Sequence, residues 1–304
     1  MRTPPLPTRD GVGPSCVALP AGDWPSIAEF LMQRFAAIPR STWLARIRAG
    51  EVRDEHGEPV TETRPYQPRL RVYYYRSLEA EPRVPFEAHI LFRDAHLLAV
   101  DKPHFLPVAP VGKYLQETLL VRLKRELGVD ALAPLHRIDR ETAGVVLFSV
   151  RAESRGRFVA LFAERTIAKH YEAIVHWDGR REPPAVHRSR LVPDTHFMRM
   201  KEAEGEPNAE TRIDVLSRGD GWAHLSLSPV TGRRHQLRVH CAALGMPILN
   251  DCIYPVLRPE GSDDFDRPLQ LLAREVRFRD PLSGIERRFA SRQSLVSPPP
   301  LAPR

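Results

Sequence analysis

Cysteine is scarce in this 304-residue chain: only Cys16, Cys241 and Cys252 occur, an odd number without CxxC spacing. That excludes a disulfide framework and a four-cysteine zinc site, and a reducing compartment is expected. Long apolar runs are also missing. None approaches the roughly 18 residues that a membrane span needs, and the opening MRTPPLPTRDGVGPS carries charge and proline where a secretory signal would carry an apolar stretch. A cytoplasmic protein with no membrane partner is expected. Internal repeats at solenoid periods and coiled-coil heptads are lacking too, which sets repeat architectures aside.

What the chain does have is positive charge and proline. The net charge is +7 and the pI near 9.6, with 42% hydrophobic and 27% charged residues, the composition of a packed globular protein. The length allows two domains at roughly 150 residues each. The positive surplus favours a polyanion by long-range attraction and says nothing about which one. The 30 prolines cluster in MRTPPLPT and SPPPLAPR, so residues 1–22 and 293–304 read as loose tails.

Apolar residues recur at helical spacing from Ser26 to Phe35, and again at Trp43, Leu44 and Ile47 after Pro39, with Ser41 or Thr42 as a cap and Gly50 as the end. A hairpin turning near Glu55-His56-Gly57 follows, toward Val72-Tyr73-Tyr74-Tyr75. Residues 23–78 thus read as a small α/β module, 79–86 as a linker and 87–292 as the main domain. There, strand-like runs flank Arg93-Asp94-Ala95-His96, a helix covers Gln116 to Leu127, a buried strand runs from Gly144 to Val150, a helix spans Ala152 to Glu164, and a strand spans His170 to Val175. Strands at Thr211–Leu216 and Trp222–Leu227 flank Gly219-Asp220-Gly221, Arg234 to Leu244 is helical, and a hairpin joins Leu271–Phe278 to Ile285–Ala290. The expected class is α+β with a mainly antiparallel sheet and flanking helices.

Three runs carry chemistry. In His136-Arg137-Ile138-Asp139-Arg140, Asp139 stands before the buried strand between two arginines. Guanidinium neighbours would keep a nucleophilic carboxylate ionised, and a surface ion pair is the competing reading. In Thr231-Gly232-Arg233-Arg234-His235-Gln236-Leu237-Arg238-Val239-His240, a glycine turn enters a helix. Its N-terminus and three arginines make an anion site, with Arg234 and Arg238 four apart on one face. Metal binding through His235 and His240 is disfavoured, because a five-residue step rotates them apart and no acidic third ligand is evident. Tyr171, in the strand Lys169-His170-Tyr171-Glu172-Ala173, is either core or a surface that stacks on an extruded base and lends its phenol oxygen to proton transfer. The segment Arg180 to Lys201 holds Arg180, Arg181, Arg188, Arg190, Arg199 and Lys201. A mobile loop closing on phosphates and a solvated loop describe it equally well.

HRIDRETAGVVLFS, AKHYEAIV and TGRRHQLRVHCAALGMPILND, in that order, together with the opening ILFRDAHLLAVDKP, resemble the RluA-type pseudouridine synthase family from about Glu87 to Ala290. The resemblance implies the pseudouridine synthase fold and the isomerisation of uridine to pseudouridine in structured RNA, ribosomal RNA ahead of tRNA. No cofactor, no metal and a monomeric enzyme are expected. It makes Asp139 the essential carboxylate, Arg137 the residue that replaces the extruded nucleotide, Tyr171 the base-stacking residue that assists proton removal, and Arg238 the partner that keeps Asp139 charged. Arg140, Arg233, Arg234 and His235 would contact RNA. Ile138, Ala143, Arg234 and Asn250 depart from the family's usual Leu, Ser, Thr and Gly. The N-terminal module resembles the alpha-L RNA-binding motif, with Arg40, Arg46, Arg48 and Arg53 as phosphate contacts diluted by Glu51, Asp54, Glu55 and Glu58. Two other readings compete: an inactive RNA-binding or ribosome-assembly protein, and a glycoside hydrolase, which would need a second acid such as Glu141 in fixed geometry.

Overall fold

The computed structural model describes residues 6–78, 80–180, 182–259 and 263–296. The chain divides into two compact units, the first Met1–Pro82 with Pro110–Glu117 and Val121–Asp130, the second Arg83–Ala109 with Thr118–Leu120 and Ala131–Arg304. No helix among the described residues is long and apolar enough to cross a membrane.

The first unit contains β1 (Ser15–Ala18), α1 (Ile27–Arg34), α2 (Arg40–Arg48), β2 (Val52–Asp54) and β3 (Arg71–Tyr74). The Ser26 hydroxyl accepts the Glu29 N–H at 3.2 Å and starts α1, whose Ile27, Phe30 and Leu31 are buried. Helix α2 has Pro39 at its cap position and no side-chain cap, so the cap expected of Ser41 or Thr42 is not used. The Pro39 carbonyl takes the Thr42 and Trp43 N–H groups instead, and proline's fixed φ suits a helix start. Both helices share a core with Leu19, Val52, Val72 and the fully buried Trp43. The three strands form an antiparallel sheet in the order β1-β3-β2.

Three expected boundaries are corrected. Residues 6–22 are not a loose tail: β1 pairs with β3 from Ser15↔Tyr74 to Ala18↔Arg71, Leu19 is buried, and the Pro7 carbonyl accepts the Tyr75 hydroxyl at 2.6 Å. Proline disfavours helix but suits an edge or an extended lead-in, so its abundance misled. The boundary between the units, Pro82/Arg83, falls within the expected linker 79–86, and on its near side the Glu81 carboxylate accepts three successive N–H groups of Leu115, Gln116 and Glu117 at 2.6–2.9 Å. With Val12, Leu78, Leu115 and Val121 clustered, segments 110–117 and 121–130 join the first unit rather than a continuous domain over 87–292. At the far end, Gln293 Nε2 donates to Asp101 and to the Lys102 carbonyl and Val296 N to Gln270, so residues 293–296 are held. The remainder of that expected tail lies outside the described residues.

The second unit is built on β4 (His89–Arg93), β5 (Leu97–Lys102), β6 (Ala133–Pro134), β7 (Ala143–Ser149), α4 (Ala152–Ala163), β8 (Ala168–His176), β9 (Val186–Pro193), β10 (Met200–Ala203), β11 (Ala209–Gly219), β12 (Trp222–Pro229), α5 (Gln236–Ala243), β13 (Leu271–Arg279) and β14 (Glu286–Ala290); α3 (Leu119–Leu127) begins in it and continues into the first unit. The sheet runs β10-β9-β11-β12-β8-β13-β7-β5-β4, with β14 on β13 and β6 on β7. Among the described residues only β13 and β7 pair in parallel. The expected α+β class with a mainly antiparallel sheet is therefore observed. Strands β5 and β7 are buried along their whole length, which is why they read as unbroken apolar runs rather than alternating ones.

Two features set up the site. The Arg180–Lys201 segment is not simply a loop: β9 and the start of β10 lie in it and form a hairpin, Met200↔Pro193 to Ala203↔Arg190, while Arg181 lies outside the described residues. Its charges masked the strand alternation, since Val186, Arg188 and Arg190 face solvent and His187, Ser189 and Leu191 turn inward. Secondly, Gly144 has φ +113 and a Cβ there would sit 2.2 Å from the Ala273 carbonyl oxygen. Only glycine lets β7 meet β13 this closely, at Leu272↔Ala143 and Ala273↔Gly144, and so sets where the loop just before β7 lies.

Candidate active site

Asp139 lies in the loop between β6 and β7. The loop is tied down on both sides of it: Thr142 N donates to the Asp139 carbonyl at 3.2 Å, and Leu147 N donates to His136 Nε2 at 3.1 Å. His136 also stacks on Phe162, and burial pushes its pKa down to about 3. A neutral ring with Nε2 free to accept is what that backbone bond requires.

Arg238 reaches the Asp139 carboxylate from α5, Nη1 to Oδ2 at 3.2 Å. Its side chain is 1% exposed and that of Asp139 26%, so the acid faces solvent while its cation is enclosed. Asp251 grips the opposite edge of the guanidinium, Nε to Oδ2 at 2.8 Å and Nη2 to Oδ1 at 2.7 Å. Oδ1 of Asp251 also accepts Ile253 N and Tyr254 N at 2.8 and 3.0 Å. A planar fork held bidentately on one edge presents its remaining nitrogen in a single direction, which a lysine could not do. Glu141 Oε2 stands 3.5 Å from the same Nη1.

Burial alone would raise the Asp139 pKa; His235, Arg238 and Lys102 outweigh it and hold the carboxyl below its ordinary value. His235 Nε2 is 3.8 Å from Asp139 Oδ1, and its Nδ1 is 3.0 Å from the Tyr254 hydroxyl. Tyr171, on β8 opposite Leu227, packs half-buried against the apolar cluster under α5. Burial first, and then the Asp139 charge, push its phenol well up, so it is a neutral hydroxyl at neutral pH.

The structure therefore brings Asp139, Arg238, His235 and Tyr171 into one electrostatic neighbourhood. It does not make Arg137 and Arg140 the partners of Asp139. Arg140 pairs with Glu141 and Asp263, and Arg137 is exposed; neighbours along an extended loop diverge, and the ion pair is supplied from 99 residues away. Arg233 and Arg234 are exposed just before α5. Arg233 Nε donates to the Asn208 carbonyl, and Arg234 donates to the Phe197 and Met198 carbonyls at 3.0 Å each. In the first unit, Arg40 pairs with Glu29 and Arg48 with Glu62, all exposed, while Arg53 donates to the Gly50 and Gly57 carbonyls. Arg46 is not an open phosphate contact: it is buried, lies over the Trp43 ring and donates to Ser77 Oγ at 2.6 Å. Helical spacing placed it with its charged neighbours, but the face it shares with Trp43 and Ile47 is the packed one.

Two residues of the site escape motif reading. Lys102, fully buried at the end of β5, donates to the carbonyls of Pro103, Leu106 and Arg140 at 2.8–3.0 Å. It thereby braces the loop on the far side of Asp139. Burial pushes its pKa down to about 7, against the pull of Glu141 and Asp139. Its one sequence signal is an Asp-Lys pair closing an apolar run. Asp251 carries no signal beyond its place in the ILND turn, since its role depends on where Arg238 lies.

The site thus presents a loop carboxylate kept ionised by an enclosed arginine, near a neutral phenol and open to solvent. A family model described as RNA pseudouridylate synthase matches residues 96–243, a span that includes Asp139, Tyr171 and Arg238. The chain is 32% identical over 229 residues to an uncharacterized RNA pseudouridine synthase of Synechocystis, covering 74% of this chain and 78% of that one. It is 32% identical over 253 residues to ribosomal large subunit pseudouridine synthase C of Vibrio cholerae, covering 75% and 76%. A solved structure, human RNA pseudouridylate synthase domain containing 1, shares the fold with a TM-score of 0.55 at 24% identity, over 70% of this chain and 86% of that one. The protein belongs to the RluA-type family of RNA pseudouridine synthases, isomerases that convert uridine in RNA to pseudouridine.

Proposed function

We propose that Asp139 is the carboxylate that opens the glycosidic bond of a target uridine, and that the target lies in ribosomal RNA. The observation that carries the first part is the Asp251–Arg238–Asp139 chain, which keeps an accessible carboxylate anionic and aimed. In the isomerisation the C1′–N1 bond breaks, the uracil turns, C1′ joins C5, the C5 proton leaves and N1 takes up a proton, so atoms balance without redox chemistry. Tyr171 stacks on the uracil and, as a neutral phenol, relays the C5 proton rather than accepting it as phenolate. Extrusion costs a few kcal/mol of lost stacking, offset by Tyr171 and by exposed Arg137 entering the space left in the RNA. Arg233 meets phosphate, and Arg140, Arg234 and His235 hold the loops that frame the site. The enzyme acts as a single chain.

Ribosomal RNA is favoured by the net charge of +7, by an additional unit ahead of the catalytic one, and by likeness to a relative named for the large ribosomal subunit.

Asp139→Asn should abolish tritium release from RNA labelled at uridine C5 while the thermal unfolding curve stays near that of the wild type. Turnover within tenfold of the parent would refute the assignment. Mapping pseudouridines in a strain lacking the gene decides the RNA, and sites missing only from tRNA would overturn the ribosomal reading.

A further inference from the structure

Outside the active site, one cluster of side chains among the described residues has the chemistry of a ligand set. His187 on β9, Glu202 on β10 and His240 on α5 place a ring nitrogen or carboxylate oxygen each within 4.8 Å of one another. The register explains how. Thr211 of β11 lies opposite His187 and Ala209 opposite Ser189, and Glu202 lies opposite Leu191. His187, Ser189, Leu191, Glu202 and Thr211 therefore share the sheet face that α5 covers. His240, fully buried, projects into it, and its ring meets that of His187 edge to face at 4.7 Å.

We propose that His187, Glu202 and His240 bind one divalent late transition-metal ion, zinc foremost, as a staple between the β9–β10 hairpin and α5. Two imidazoles and a carboxylate are a donor set that suits zinc, with water completing a tetrahedron. Bonds of about 2.0–2.1 Å put the donors of a tetrahedral zinc roughly 3.3 Å apart. His187 Nε2 and Glu202 Oε1, now 2.7 Å apart, have to open slightly and His240 to close in, both within reach of side-chain torsions. His240 Nε2 would exchange Ser189 Oγ, at 3.1 Å, for the metal. Its Nδ1 would keep Thr211 Oγ1, at 3.0 Å, the kind of outer hydrogen bond that orients a metal-bound imidazole. Thr211 Oγ1 is itself fixed by Gln236 Nε2 at 2.9 Å. The ion takes no part in the isomerisation. It fastens the helix that carries Arg238, two residues before His240, to a hairpin that sequence alone reads as a loop.

The test uses the untagged, full-length chain after treatment with a chelator. Calorimetric titration with zinc chloride should show one ion per chain and raise the melting temperature, and Co2+ should give the visible bands of a four-coordinate site. His187→Gln and Glu202→Gln are chosen because these side chains are partly exposed. Each should weaken zinc binding at least tenfold and remove the cobalt bands, with the metal-free melting temperature unchanged. Cys16→Ser, which removes the exposed thiol, should bind like the parent. Absence of binding at micromolar zinc, binding unaltered in both cluster variants, or binding lost in Cys16→Ser would each overturn the proposal.

Discussion

Two sets of arginines, one in each unit, are used in opposite ways. In the first, Arg40 and Arg48 meet Glu29 and Glu62 with their side chains 62% and 68% exposed. In the second, Arg238 is enclosed and answers three carboxylates, Asp251, Asp139 and Glu141. Water screens the exposed pairs, and holding two long side chains together costs entropy, so such pairs add little to stability. The enclosed arginine cannot be hydrated, and its removal would leave anions without a counter-charge in a poorly solvated place. Surface arginines in this protein shape its field; the buried Arg238 holds a geometry.

The largest effect is expected where that contrast is sharpest. Arg238→Met should lower the unfolding free energy by about 3–5 kcal/mol, the usual result of breaking a buried pair, and should abolish tritium release. A loss under about 1 kcal/mol in urea titration would show the network to be solvated after all. Lys102→Met comes next: three carbonyls lose their donor at once, and with roughly 1–3 kcal/mol for each unsatisfied buried group, partly relieved by water, a net loss of about 3 kcal/mol is expected. An unchanged denaturation midpoint would show that the loop beside Asp139 does not need this brace.

Acid should expose a moderate effect in both units. Asp54, despite its burial, is held below its ordinary value of 3.8 by Arg64 and the N–H groups of His56 and Glu58, and Asp139 is held below by the groups described above. A carboxyl whose folded pKa is depressed stabilises the fold fully above its unfolded pKa and loses that contribution as pH falls through the folded value. Stability from these groups should be level from pH 7 to about 5 and decline below about 4. The acid limb of the rate should fall in the same low range, and a limb centred above pH 5 would mean that Asp139 is not held ionised. The smallest effect belongs to the exposed pairs: Arg40→Ala should leave the denaturation midpoint and the rate at saturating RNA unchanged, and lower only the salt dependence of RNA binding. Deleting residues 1–80 would be a poor substitute, because it removes part of a unit that also contains 110–117 and 121–130.

Local pattern was enough for much of the second unit. The buried run before Val150, the helix after it and the closing hairpin appear within a few residues of their expected bounds, because continuous apolar runs and glycine turns act over short distances. The β9–β10 hairpin was not legible, since charged side chains on its outer face hid a two-residue alternation. Within the site, Asp139, Tyr171 and Arg238 stood out by motif, and the resemblance named Arg238 as the partner of Asp139, whereas the local run by itself offered the adjacent arginines. Sequence distance was the wrong measure there.

Residue order by itself determined the α+β class, the family and which acid to examine, because periodicity, turn chemistry and motif spacing are written locally. Tertiary structure alone decided that Arg137 and Arg140 do not pair with Asp139, that Asp251 and Lys102 support the site, and that Arg46 is packed away. Each of these depends on which groups share a space sheltered from water, where charges act strongly, and that is settled only when strands far apart in the chain come to lie side by side.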